Sequence, residues 1–235
     1  MADFKMTIEV GGRRYALRQP GFSIAIPMHF DGLQPNTYGV APAHAEAYRS
    51  GGWVGDTRQG GSFNFETYTL TPHCNGTHTE CIGHIVDDRL RIHEELQETL
   101  LPATLITVRP KSGHETRDHY HPPLATEDIV IDLTALHDAL LASDAELPTA
   151  LVIRTLPNDR SKSSRDYMRQ TPAFLTLEAM AYLVGLGVQH LLVDIPSVDR
   201  LFDGGILVPT MFSGICLAEA VGWNCLHTEG KRSQK

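Results

Sequence analysis

The sequence has no apolar stretch long enough to cross a bilayer. Its longest runs, such as Leu191-Leu192-Val193, fall far short of the roughly 20 residues that a spanning helix needs. It also lacks the basic start, apolar run and small-residue cleavage site of a secretory leader: Met1 is followed by Ala-Asp-Phe-Lys, and a cytoplasmic location is the expectation. Cysteine is scarce, and Cys74, Cys81, Cys216 and Cys225 are too few to form a disulfide framework in 235 residues. No Lys/Arg cluster stands out and the net charge is −8 with histidines neutral, which argues against nucleic acid or an anionic membrane and leaves a small-molecule substrate as the expected partner. Internal repeats, low-complexity tracts and a clear linker are absent too. One domain over residues 1–235 is therefore the simpler reading, with a loop-rich lead-in (1–62), a core (63–226) and a tail (227–235).

At 42% hydrophobic and 20% charged residues, the composition is that of an ordinary globular chain. Its surplus is histidine. Twelve are present, crowded between His73 and His137.

Met6 to Leu17 reads as a β-hairpin, with two alternating runs around Gly11-Gly12. Phe22 to Ile26 reads as a short strand ended by Pro27. The Gly-, Pro- and Asn-rich stretch from Gly32 to Gly61 reads as loops around one short helix near Ala43–Tyr48, and such loops often cover a site. Phe63–Leu70 and Leu101–Val108 read as strands, and Lys111–Pro123 as a polar loop. Ala150–Thr155 reads as a buried strand, Thr176–Leu186 as a helix capped by Thr176 and ended by Gly187, and His190–Ile195 as the next strand. Strand, loop, helix and strand in that order make an α/β crossover unit. Ser213–Val221 reads as a further helix carrying Glu219.

The chemistry concentrates in His73-Cys74-Asn75-Gly76-Thr77-His78-Thr79-Glu80-Cys81-Ile82-Gly83-His84. If this stretch is extended, His78 and Glu80 share one face and can approach one ion together. Imidazole plus carboxylate suits Zn²⁺ or Mn²⁺. Gly76 lets the backbone come close, and His84 can stand just outside the coordination shell, free to move a proton.

This segment resembles the signature His-x-Gly-Thr-His-x-Asp-x-Pro-x-His of the cyclase family, to which bacterial kynurenine formamidase and isatin hydrolase belong. The likeness extends to Leu151–Thr155, Leu175–Ala179 and the run from Gly187 to Asp199. It implies a swivelling β/β/α-type α/β fold with a central mixed sheet and flanking helices. It also implies metal-dependent hydrolysis of an amide, lactam or lactone, and assembly as a homodimer or homotetramer. By the same resemblance, His78 and Glu80 map to metal ligands, Glu219 to a downstream ligand carboxylate and His84 to the general acid/base.

The chain departs from that signature in several places. Glu80 replaces the aspartate and Ile82 the proline. Counting back four from His78 reaches Cys74. Either a bulge turns His73 inward as the first ligand, the reading preferred here, or Cys74 binds as a thiolate. No histidine occurs between His190 and His227, where the resemblance calls for a second-metal ligand, so one Zn²⁺ or Mn²⁺ is the expectation. A cyclase or dehydratase, or a non-catalytic binder of small molecules, are the alternatives.

Other residues carry weaker signals. His114, His119 and His121 are expected to be solvated, and Arg154 to pair with a carboxylate. Asp194, Ser197 and Asp199 are as readily a structural turn as a ligand site. Cys216 would share the helical face of Glu219. Trp53, Phe63 and Trp223 are candidates for an apolar pocket or for the core.

Overall fold

A computed structural model describes residues 6–17, 20–84, 86–98, 100–143 and 149–201, together with the backbone of the strand at 216–219. The chain starts with the expected hairpin, β1 (Met6–Val10) and β2 (Arg13–Leu17), which pair antiparallel around Gly11 and Gly12, both left-handed at φ 59° and 78°. Glycine occupies that region without the clash a Cβ would bring. In the lead-in that follows, β3 (His44–Ala47) and β4 (Arg49–Ser50) precede β5 (Trp53–Val54) and β6 (Glu66–Thr69); β3 pairs with β6 and β4 with β5.

A single helical turn, α1 (Pro72–Asn75), then leads into β7 (His78–Glu80). Beyond a second short turn, α2 (Ile92–Glu95), come β8 (Ala103–Val108), β9 (Lys111–Ser112) and β10 (Ile129–Ile131). The remainder is α3 (Leu133–Ser143), β11 (Ala150–Thr155), β12 (Phe174–Leu175), α4 (Leu177–Gly185), β13 (His190–Val193) and β14 (Cys216–Glu219).

The central sheet runs β7-β14-β13-β11-β8 among the described residues. Four of its strands, β8, β11, β13 and β14, are parallel, and β7 closes one edge antiparallel. This is a mixed α/β architecture, as the crossover pattern leads one to expect. Strand β11 shows why its sequence is continuously apolar. Leu151 and Ile153 join the main core with Leu183 and Met180 of α4, whereas Val152 packs with Leu192. A parallel strand covered on both faces needs apolar side chains at successive positions. Burying each such side chain stabilises the fold by about 1.5–3 kcal/mol. Thr176 caps α4 by accepting a hydrogen bond from Ala179 N at 3.2 Å, and Gly187 ends it at φ 77°.

Three expected elements differ. Residues 43–48 do not form a helix: β3 is a strand with Ala45 and Ala47 turned inward and His44 and Glu46 outward. Pairing with β6 outweighs the helix preference of Ala and Glu. Phe22 to Ile26 is not a strand; Ile26 N donates instead to Thr77 Oγ1 at 3.1 Å, and Phe22 stays exposed. Finally, Cys216–Glu219 is strand rather than helix, because it fills the slot between β13 and β7. The shared helical face expected for Cys216 and Glu219 disappears with the helix. Trp223, Cys225 and the rest of the expected helix lie outside the described residues.

At the C-terminal ends of β11 and β13 lies a buried charge pair. Lys162 Nζ donates to Asp194 Oδ2 at 2.7 Å and to Thr155 Oγ1 at 2.6 Å, while Thr155 N and Oγ1 donate to Asp194. Burial pulls the Lys162 ammonium below its ordinary pKa, and the charge and hydrogen bond of Asp194 act against that. Removing one partner would strand a charge in the interior. Lys162→Met is therefore expected to lower the unfolding free energy by roughly 3–5 kcal/mol, read from urea denaturation.

Candidate metal centre

The segment from His73 to His84 folds as a helical turn, a three-residue strand and a 3-10 turn, and each contributes to one cluster. Pro72 at the first helical position presets the backbone for α1. Cys74 N and Asn75 N both donate to Thr71 O at 2.9 Å, and the buried Asn75 side chain accepts from Thr71 N at 2.9 Å. This turn, not a bulge, aims His73 at the cluster. Cys74 is buried and stands apart from the grouped donor atoms.

The extended geometry expected for His78 and Glu80 holds, since both lie on β7 with Thr79 between them on the other face. His84 ends the 3-10 turn Ile82–His84. Gly76 has an extended backbone (φ −176°), so positive φ does not explain it. Its role is room: a Cβ there would come within 2.7 Å of Met28 Cε. Gly83 serves likewise, since a Cβ would meet Leu90 O at 2.5 Å.

Three donor atoms, one each from His73, Glu80 and His84, lie within 4.8 Å of one another. Glu80 Oε2 is 3.3 Å from His73 Nδ1, 3.6 Å from His84 Nδ1 and 3.9 Å from His78 Nε2. His73 Nδ1 and His78 Nε2 are 3.1 Å apart. The other nitrogen of His78, Nδ1, faces Gly76 O at 3.0 Å. With Nδ1 donating to that carbonyl, the lone pair of Nε2 points into the cluster. Burial drives the His78 imidazole below its ordinary pKa, with the hydrogen bond to Gly76 opposing. Burial also works to raise the Glu80 carboxyl, but the hydrogen bond from His73 and the fields of His84, His73 and His78 outweigh it and leave it below the usual carboxylate value. The cluster thus pairs an ionised carboxylate with an imidazole biased toward its neutral form. Such a donor set fits a divalent ion of the Zn²⁺ or Mn²⁺ kind.

The side chain of His84 is about half exposed, at 48%, against 9% for His78. It lies closer in than the sequence reading placed it, within ligand range as well as within reach of solvent. Glu219 belongs to β14, and the β-ladder pairs it with His78 on one side and Val193 on the other. Its backbone is therefore next to the cluster.

The weaker candidates lie elsewhere. His119 is not simply solvated, because its Nδ1 meets Glu178 Oε1 at 2.6 Å. Exposed His114 contacts Ser112 Oγ at 2.7 Å. Arg154 donates to Thr107 Oγ1 at 2.7 Å, and no carboxylate pairs with it among the described residues. Asp194 is committed to Lys162 and Thr155. Ser197 Oγ accepts from Asp199 N, and Asp199 accepts from Tyr120, so that turn is structural. Trp53 and Phe63 are 67% and 58% exposed, which removes them from the core. Sequence reasoning missed Tyr38, whose ring lies parallel to that of His73. The available signal was Gly39, marking a turn there.

Among curated proteins none matches the chain. A solved structure described as a predicted metal-dependent hydrolase from Bacillus stearothermophilus matches with a TM-score of 0.50 and 14% identity, covering 85% of this chain and 81% of that one. An isatin hydrolase bound to the product analogue thioisatinate matches at TM-score 0.49 and 14% identity over 77% and 69%. Isatin hydrolase A from Labrenzia aggregata, bound to benzyl benzoate, matches at TM-score 0.48 and 12% identity over 86% and 78%. The first of these likenesses shows the shared fold. The sequence model of one family, described as Putative cyclase, matches residues 14–200, and the chain belongs to that family.

Proposed function

We propose that the protein is a metal-dependent hydrolase that opens an amide, lactam or lactone of a small molecule. The observation that carries this reading is the convergence of His73, Glu80 and His84 donor atoms within 4.8 Å, with His78 Nε2 beside them. His73, His78 and Glu80 would hold one Zn²⁺ or Mn²⁺, joined by Glu219 from the neighbouring strand. A bound divalent ion supplies an activated water and polarises a carbonyl oxygen.

The chain's own groups do the rest. The hydrogen bond to Gly76 fixes the His78 tautomer, so that no proton need leave Nε2 when a cation binds. Glu80 stays ionised and supplies the negative charge. His84 faces Glu80 with Nδ1 and reaches solvent, which suits it to pass a proton to the departing nitrogen or oxygen. The substrate is a small molecule that reaches the half-exposed His84 side of the cluster.

Purified protein is expected to carry about one equivalent of transition metal per chain, measured by elemental analysis. Less than about a tenth of an equivalent, unchanged on adding Zn²⁺ or Mn²⁺, would sink the metalloenzyme reading. His84→Ala should keep the metal while turnover of the best substrate from a panel of formyl-anilides, lactams and lactones falls by about 10²–10⁴-fold. Loss of the metal in that variant would make His84 a ligand instead.

A further inference from the structure

His73 rides on a single helical turn, and so short a helix is not held by its own hydrogen bonds. Its support comes from residues 36–41. Thr37 N donates to Cys74 O at 3.3 Å, and Asn75 Nδ2 donates to Ala41 O at 3.4 Å. Between these two ties the Tyr38 ring lies 8° from parallel to the His73 imidazole, with centroids 6.3 Å apart. That separation falls within the range of offset stacking.

The strap is itself tied to the body of the protein. Asn36 N donates to Arg165 O and Tyr167 N donates to Asn36 O, both at 3.0 Å. Arg165 follows directly on the turn Arg160–Ser164, which carries Lys162 into its contact with Asp194.

Locally, the strap is costly. Tyr38 holds a left-handed backbone at φ 57°, a region that Asn or Gly enters with less strain than a bulky aromatic residue. Next to it, Asn36 Oδ1 and Thr37 Oγ1 are buried with no hydrogen-bond partner among the described residues. A left-handed tyrosine beside two buried oxygens without a described partner marks a locally strained segment.

We infer that Tyr38 is a positioning residue for His73: its ring sets the plane of the imidazole so that Nδ1 faces His78 and Glu80. The inference rests on the metal-centre reading above and adds a residue to it. It also explains how a histidine displaced by one position from the family pattern still reaches the cluster.

Two variants test it. Tyr38→Gly removes the ring but accepts the left-handed turn, and Tyr38→Phe keeps the ring. Relief of strain and the added freedom of the unfolded chain oppose each other, so the Tm of Tyr38→Gly should stay within about 5 °C of the parent. If that variant fails to fold, Tyr38→Asn takes its place.

In chelator competition, Zn²⁺ affinity should fall about tenfold or more in Tyr38→Gly and stay within about twofold in Tyr38→Phe. Unchanged affinity in Tyr38→Gly, or an equal loss in Tyr38→Phe, overturns the stacking role. A second measurement needs no metal: imidazole NMR of the metal-free protein, with His73 assigned through His73→Gln. The His73 signal should broaden or double in Tyr38→Gly while that of His78 is unchanged. A single sharp His73 signal there overturns the inference on its own. If the parent protein binds no Zn²⁺, the metal-centre reading fails and the NMR result alone decides the role of Tyr38.

Discussion

The pairing of β7 with β14 is the constraint that turns a histidine-rich stretch of chain into a cluster. Strand β7 has three residues, and its register sets His78 against Glu219 and Glu80 against Leu217. Side chains alternate along a strand, so a slip by one residue would send His78 and Glu80 to the far face and bring Thr79 in. The seating of the lead-in segment depends on the same register. Thr77 accepts from Ile26, and Met28 fills the space left by the missing side chain of Gly76. The turns on either side of β7 then have only to bring His73 and His84 inward.

The Lys162–Asp194 pair and the histidine cluster use charged and ionisable groups to opposite ends. Lys162 and Asp194 neutralise each other, and Thr155 takes up the remaining hydrogen-bonding capacity, so the pair is closed and serves the fold. At His73, His78, Glu80 and His84, one carboxylate meets three imidazoles, and one imidazole is held with its lone pair inward. That arrangement presents donor atoms of the kind a divalent cation takes. The difference is one of stoichiometry, tautomer and enclosure: the Lys162–Asp194 pair is buried, whereas His84 opens the histidine cluster to solvent.

Much of this was legible where neighbours in sequence decide the structure. The Gly11-Gly12 hairpin, the Thr176 cap and the placement of His78 and Glu80 on one strand face follow from local pattern. What was not legible depended on distant partners. Residues 44–47 and 216–219 are rich in helix formers, yet each is claimed by strand partners that the local sequence does not reveal. That His73 faces Glu80 depends on a helical turn held by Asn75 and by residues 36–41, more than thirty positions upstream. Lys162 gave no signal at all, because a lysine in a Ser-rich loop reads as a solvated charge until Asp194 is seen beneath it.

The unusual length of the carboxylate at position 80 gains meaning beside the turn that carries His73. Glu80 meets His73 Nδ1 at 3.3 Å, and shortening it to aspartate would draw the oxygen back by about 1.5 Å, out of contact. The longer side chain and the shifted histidine are thus two halves of one adjustment. The reach of one side chain is matched to the placement of the other, so a change at either position alone breaks the contact between them.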